Sequence, residues 1–161
     1  MDVFELLEKD HGKLKDLLTK LAESSASAVK TRETLFKELA TELALHSKAE
    51  EMIVYPRLKE FDELRDMVLE GIDEHQEAEQ LLGELADLAK DDKQWGVKLK
   101  ELKQALEHHV KEEEDELFPE ARNLIDADET MEMGASVEQE KKEMMQGSHG
   151  AAKEVFDRLG L

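Results

Sequence analysis

The chain has no cysteine, only 2 prolines and 8 glycines, and few aromatics (1 Trp, 1 Tyr and 5 Phe) in 161 residues. Without cysteine there is no disulfide, no thiolate metal site, no iron–sulfur cluster and no cysteine nucleophile. That absence fits reducing and oxidising compartments alike. The shortage of aromatics argues against a sandwich or barrel. Basic charge is scarce too: 22 Lys and Arg face 41 Asp and Glu, a net charge of −19 at pH 7. Such a surface repels phosphate backbones and anionic membranes, so neither nucleic acid nor membrane is an expected partner. No apolar run approaches transmembrane length, and the first residues, Met1 to Glu5, form no basic leader. A cytoplasmic location is the expectation.

What remains is hydrophobic enough (40%) for a core and rich in Leu, Glu, Lys and Ala. This composition predicts one all-α domain. Apolar residues recur at helical spacing. Trp95, Leu99, Leu102 and Leu106 form one seam, and its next two positions are His109 and Glu113. A carboxylate where a leucine belongs is costly unless its charge is compensated. The pattern occurs twice. The shift that carries His46 onto His109 also carries Phe36, Leu39 and Leu43 onto Leu99, Leu102 and Leu106, Glu50 onto Glu113, and Tyr55-Pro56 onto Phe118-Pro119. This is an internal repeat with a histidine–carboxylate pair in each copy.

In chain order, Asp2 and Glu5 predict a capping box opening a helix to about residue 23, with seam Phe4, Leu7, His11, Leu14, Leu18, Leu21. A connection over 24–30 leads to a second helix from Thr31, which carries His46 and Glu50. Pro56 is expected to kink or end it. A third helix starts near Asp62 and places His75 in its seam. The pair Asp91-Asp92 turns the chain, Asp92 capping a fourth helix that runs to about Pro119 and on through Leu124-Ile125. Residues 126–146 read as one amphipathic helix around Met131, Val137 and Met144, weakened by Gly134. A linker over 146–150 holds His149, read as a loop histidine, and a short helix follows over 151–159. The expected architecture is an up-down-up-down four-helix bundle over 1–125 with a helical or flexible tail over 126–161.

Counted from the predicted turns, each of the four seam histidines lies about 13 to 17 residues along its helix, at similar depth in such a bundle. The seams thus supply His11, His46, Glu50, His75, His109 and Glu113: four imidazoles and two carboxylates. This set suits divalent first-row metals, iron above all for oxygen chemistry, although manganese or zinc fits a similar set. Six ligands are many for one ion. Two ions are better served if both glutamates bridge them and a solvent oxygen, oxo or hydroxo, completes the bridge.

The order His11, His46-x-x-x-Glu50, His75, His109-x-x-x-Glu113 resembles the H…HxxxE…H…HxxxE pattern of the hemerythrin-like, or HHE cation-binding, family. The two proline endings are similar to that family's as well, and the likeness spans about residues 2–125. It implies a non-heme di-iron site on those six residues. Oxygen-carrying hemerythrins have a fifth histidine where this chain has Glu79, and a carboxylate at the position of Glu114. The resemblance is therefore closer to hemerythrin-like proteins linked to oxygen, iron, nitric oxide or peroxide responses. The expected activity is binding or sensing of O2, NO or iron, or a response to oxidative stress. Catalase-like decomposition of hydrogen peroxide is the alternative. The expected partner is a small diatomic or peroxide ligand.

Other residues are read more plainly. Glu79 is read as a solvated helix residue in preference to a seventh ligand or a partner of one. Glu114 is expected on the surface, about 100° round the helix from Glu113, and His108 is expected to face away from His109. Tyr55, one turn beyond Glu50, has two readings: a phenolate or hydrogen-bond donor at the metal, or, more often for such a residue, a ring packed at the bundle end with its hydroxyl in water. A ferritin-like site needs two Glu-x-x-His motifs. Only Glu8-x-x-His11 is present, since Leu43, Ile72 and Leu106 precede the other three histidines.

Overall fold

The structure, a computed structural model, describes residues 1–146 and 157–159. Among these the regular structure is helical throughout. Helix α1 spans Val3–Glu23 and α2 spans Val29–Ala49. A π-helical turn over Glu50–Val54 joins α2 to the short α3, Tyr55–Leu58. Helices α4 (Asp62–Asp87) and α5 (Lys93–Glu112) follow. A second π turn, Glu113–Leu117, then leads into α6 (Phe118–Leu124), and α7 covers Ala127–Met145. No described helix is long and apolar enough to cross a membrane.

The caps follow from the sequence. Asp2 and Glu5 make the reciprocal capping box at the start of α1, and Arg122 donates to Asp2 at 2.8 Å, tying α6 to that terminus. Asp92 accepts from Gln94 N at the start of α5. Helix α2 begins at Val29, without a side-chain cap. Arg32 organises this end of the bundle instead. It donates to Ser24 O and Oγ and to Lys90 O, and lies over the Trp95 ring. One side chain thus ties the α1–α2 turn to the α4–α5 turn.

The two prolines neither end nor sharply break their helices. A proline lacks the donor for an i→i−4 bond and clashes with that carbonyl. Here the backbone widens just before it, so that Tyr55 N donates to Glu50 O and Phe118 N to Glu113 O, both i→i−5 bonds. Each π turn accommodates about one extra residue. The fifth residue after each glutamate therefore returns to the glutamate's own face, and Tyr55 and Phe118 point into the bundle, both almost fully buried.

The core is divided. One apolar cluster, around Phe4, Leu7, Tyr55, Leu58, Phe118 and Ile125, fills the proline end. A second, around Leu18, Phe36, Leu39, Leu82, Leu102 and Trp95, fills the turn end. Between them lies a buried polar layer containing Asp10, His11, His46, Glu50, His75, His109 and Glu113.

Helix α7 folds back along α1 and α2. Gly134 does not interrupt it. A Cβ there would lie 2.6 Å from Met1 O and 3.2 Å from Val3 N, so glycine permits the close approach of the two backbones. The buried face is Thr130, Met133, Gly134, Val137 and Met144, whereas Met131, expected in the seam, is exposed. Of the expected linker and last helix, residues 157–159 are helical, and Leu159 is buried in the turn-end cluster. His149 lies outside the described residues.

Candidate metal centre

All six seam residues expected to meet do so. Helix α1 contributes His11, α2 His46, α4 His75 and α5 His109, while Glu50 and Glu113 open the two π turns. They sort into two buried triads, His11–His46–Glu113 and Glu50–His75–His109, each with one donor atom per residue within 4.8 Å of the others. Each triad joins the two histidines of one repeat to the glutamate of the other. Both carboxylates lie between the triads. Glu113 Oε1 is 3.3 Å from His11 Nε2 and 3.1 Å from His109 Nε2. Glu50 Oε1 is 3.0 Å from His75 Nε2 and 3.9 Å from His46 Nε2.

The residues fit a metal. His11 Nε2, His46 Nε2, both oxygens of Glu50 and Glu113 Oε1 are buried without a well-aligned hydrogen bond. Orphaned polar atoms of this kind are costly. A first-row ion with bonds of about 2.0–2.2 Å sets neighbouring ligand atoms roughly 3.0–3.5 Å apart. Within the triads, His11–Glu113 at 3.3 Å and His75–Glu50 at 3.0 Å match that spacing, while His109–Glu50 is wider at 4.0 Å.

Three of the four outward-facing nitrogens donate to carboxylates that the sequence did not reveal; the fourth, His11 Nδ1, is buried without a hydrogen bond. His46 Nδ1 donates to Asp10 Oδ2 at 3.0 Å, His75 Nδ1 to Glu51 Oε2 at 3.0 Å and His109 Nδ1 to Glu74 Oε1 at 2.8 Å. His11 Nδ1 faces Glu114 Oε1 at 3.8 Å. Each acid is the sequence neighbour of a seam residue on one helix and serves the histidine of the next, so the four contacts close a circle around the bundle. Donation at Nδ1 leaves Nε2 free to ligate. Glu114 is therefore half-buried beside His11, not a surface residue. The signal was an acid next to a seam residue on every helix, but intervals along the chain do not show contacts between helices.

The electrostatics follow from this crowding. Burial depresses the basicity of His75, but the facing carboxylates of Glu50 and Glu51 outweigh it and raise the group to about 9. Burial is likewise overcome at His11, chiefly by Glu113, and at His109 by Glu113 and Glu74, so both are raised. Burial would raise Glu113, yet His109 and His11 hold it well below the usual carboxylate range. Asp10, despite burial, is held at about 2 by His46 and Lys141.

Tyr55 takes the hydrogen-bonding role of its two readings, not the solvated one. Its hydroxyl is not in water but donates to Glu113 Oε2 at 2.7 Å, and its ring stacks on His75 with centroids 5.4 Å apart. Phe118 stacks on His11 in the equivalent place, at 6.0 Å. Glu79 is half-buried, pairs with Arg158 and lines a small cavity beside His75 and Glu51. His108 is exposed and pairs with Glu74 and Glu112. A cavity of about 480 Å³ between α1 and α5, lined by Leu14, Leu18, Leu106 and Val110 among others, reaches His11. Its repeat counterpart at His75, between α2 and α4, measures only about 20 Å³.

Comparison with known proteins agrees with this architecture. An uncharacterized hemerythrin-like protein of Schizosaccharomyces pombe is 28% identical over 152 residues, covering 93% of this chain and 74% of that protein. A protein of Nostoc sp. named DNA nickase is 27% identical over 152 residues. That match takes in 94% of this chain, which spans only 42% of the nickase. The crystal structure of a hemerythrin HHE cation binding domain-containing protein from Mycobacterium kansasii superposes with a TM-score of 0.78 at 24% identity. It covers 96% of this chain and 99% of that one, and shares the fold. The family model for the hemerythrin HHE cation binding domain matches residues 2–121, from the first cap into α6 and stopping short of α7. Since that stretch carries both histidine–glutamate repeats, the chain belongs to the hemerythrin HHE cation-binding family.

Proposed function

We propose that His11, His46, Glu50, His75, His109 and Glu113 hold two iron ions, and that the centre binds or senses a small ligand: dioxygen, nitric oxide or peroxide. The observation that carries this reading is the pair of facing buried triads, each with two imidazoles and a carboxylate. Imidazole and carboxylate without sulfur suit iron used for oxygen chemistry, and two glutamates between the triads suit two ions sharing bridges. When bound, the irons supply open coordination positions and a change of oxidation state.

The protein's own share is positional. The carboxylate ring fixes the tautomer and direction of the imidazoles, most firmly where the hydrogen bonds are short, at His46, His75 and His109. Tyr55 holds one oxygen of Glu113 and leaves the other facing His11 and His109. The two apolar clusters above and below the polar layer keep bulk water from it. The cavity at His11 gives a small molecule one route inward. The name of the cyanobacterial relative suggests DNA as a substrate, but a net charge of −19 opposes duplex binding, and we do not extend that activity to this chain.

The test is metal content and the absorption spectrum of the purified protein, before and after adding peroxide. Two irons per chain with near-ultraviolet charge-transfer bands support the reading. Sustained oxygen evolution would replace it with the catalase-like one. No iron uptake after anaerobic reconstitution would overturn it.

A further inference from the structure

Helix α7 lies beyond the family match, yet it reaches the polar layer. Asp10 Oδ2, which accepts the His46 Nδ1 proton, also accepts from Lys141 Nζ. We propose that Lys141 is a positioning residue: it pins Asp10, Asp10 pins the His46 imidazole, and the pair sets the metal affinity of the His11–His46–Glu113 triad alone. This rests on the metal-centre reading above.

Three observations carry it. Asp10 is the most enclosed of the four carboxylates that back the histidines, its side chain 10% exposed against 25% for Glu51, 14% for Glu74 and 34% for Glu114. A carboxylate has about four acceptor sites. At Asp10, the least exposed, the Lys141 ammonium takes one of the sites left over. Second, Asp10 and Glu74 hold corresponding places, since each precedes a seam histidine and serves the histidine of the next helix. Glu74 takes its further contact from His108, a bundle residue, at 3.4 Å. The equivalent contact at Asp10 comes from the tail helix. Third, α7 does not depend on Lys141 for its place. Arg57 donates to Glu129, Gly134 lies against the Met1–Val3 backbone, and Val137 and Met144 are buried in the proline-end cluster.

The consequence is local. Without Lys141, Asp10 keeps one partner and is free to turn toward solvent, and the Nδ1–H of His46 loses a fixed acceptor. An imidazole whose second nitrogen is not held samples orientations in which Nε2 misses the metal. Loss of such outer contacts weakens metal affinity about 10- to 100-fold. The Glu50–His75–His109 triad has its own anchors in Glu51 and Glu74, and is untouched.

The experiment titrates Co²⁺ into the metal-free full-length chain against a competing chelator, read by visible absorption. Wild type is compared with Lys141→Met, Lys141→Arg and Met144→Ala. In Lys141→Met one ion weakens about 10- to 100-fold while the other stays at its wild-type affinity. Arginine, which keeps the cation, restores the weakened step. Met144→Ala loosens the packing of α7 without touching Asp10 and leaves both affinities in place. Equal affinities in Lys141→Met and wild type, a uniform loss of both ions, or the same one-ion loss in Met144→Ala overturns the proposal. Wild-type chain that takes up no cobalt overturns the metal reading itself and the proposal with it, a result distinct from an unaffected Lys141→Met.

Discussion

Tyr55 and Phe118 occupy the same place in the two repeats, each five residues past its glutamate at the end of a π turn, and they differ by one hydroxyl. Tyr55 stacks on His75 and donates to Glu113; Phe118 stacks on His11 with nothing to donate. The two halves of the centre are therefore alike in donors and unlike in how their carboxylates are held. Tyr55→Phe keeps the ring and its stacking and removes the 2.7 Å bond to Glu113 together with a long 3.5 Å contact to His75 Nε2. A hydrogen bond to a charged group contributes about 1.5–3 kcal/mol, so the metal-free variant should lose that much stability. Urea unfolding checks this. An unchanged midpoint would mean that the hydroxyl contributes nothing to holding Glu113.

How much of this was legible beforehand depends on which interactions run along a helix. His109 and Glu113 extend the Trp95–Leu106 seam, and that periodicity alone placed them inside the bundle. The repeat placed His46 and Glu50 the same way. Past Pro119 the helical path continues to Leu124 as expected, whereas Pro56, expected to kink or end its helix, is passed in the same way. The π turns absorb Pro56 and Pro119, and the extra residue rotates Tyr55 onto the face of Glu50. Asp10, Glu51 and Glu74 escaped notice because each serves a histidine on a different helix. Glu114 was placed by its 100° turn from Glu113, which ignores that α1 passes on that side. Among the described residues of the tail, Lys141 reaches the polar layer, and it acts one contact out from the histidines.

Glu113 lies against histidines of both triads, through the same oxygen. Glu113→Ala removes a donor from each ion's surroundings at once and should lose most of the bound metal. Metal analysis of the reconstituted variant is the check. Two ions retained per chain would sink the bridging role of this carboxylate.

The raised histidines set a pH window. His75 titrates at about 9 in the metal-free fold, against about 6.5 in an unfolded chain. A raised folded value means the protonated form is the one stabilised by folding. That stabilisation is fully present below about pH 6.5 and is lost as pH rises through about 9. His11 and His109 shift in the same direction. Metal needs the neutral imidazoles, so its apparent affinity should rise across the same interval, with protons released on binding. Metal-free stability should thus fall from pH 6.5 to 9 while metal affinity climbs. Unfolding curves and metal titrations in weakly buffered solution read the two trends, and parallel rather than opposed trends would contradict the assignment.

Two glycines on α4 should answer the same substitution with opposite signs. At Gly83 a Cβ would meet nothing within 4 Å, so Gly83→Ala gains helix propensity and should stabilise by about 0.5–1 kcal/mol. At Gly71 the Cβ would fall 2.6 Å from the Tyr55 hydroxyl and 3.1 Å from its ring carbon. That hydroxyl is buried and already committed to Glu113, so it has no free direction in which to yield. The same helix propensity gain is then outweighed by overpacking of about 1–3 kcal/mol. The clash also identifies its own remedy. In a Tyr55→Phe background the nearest atom is gone, so the cost of Gly71→Ala should shrink, and the two changes should couple in a double-mutant cycle. Additive losses would show that the Gly71 contact does not act through the hydroxyl that holds Glu113.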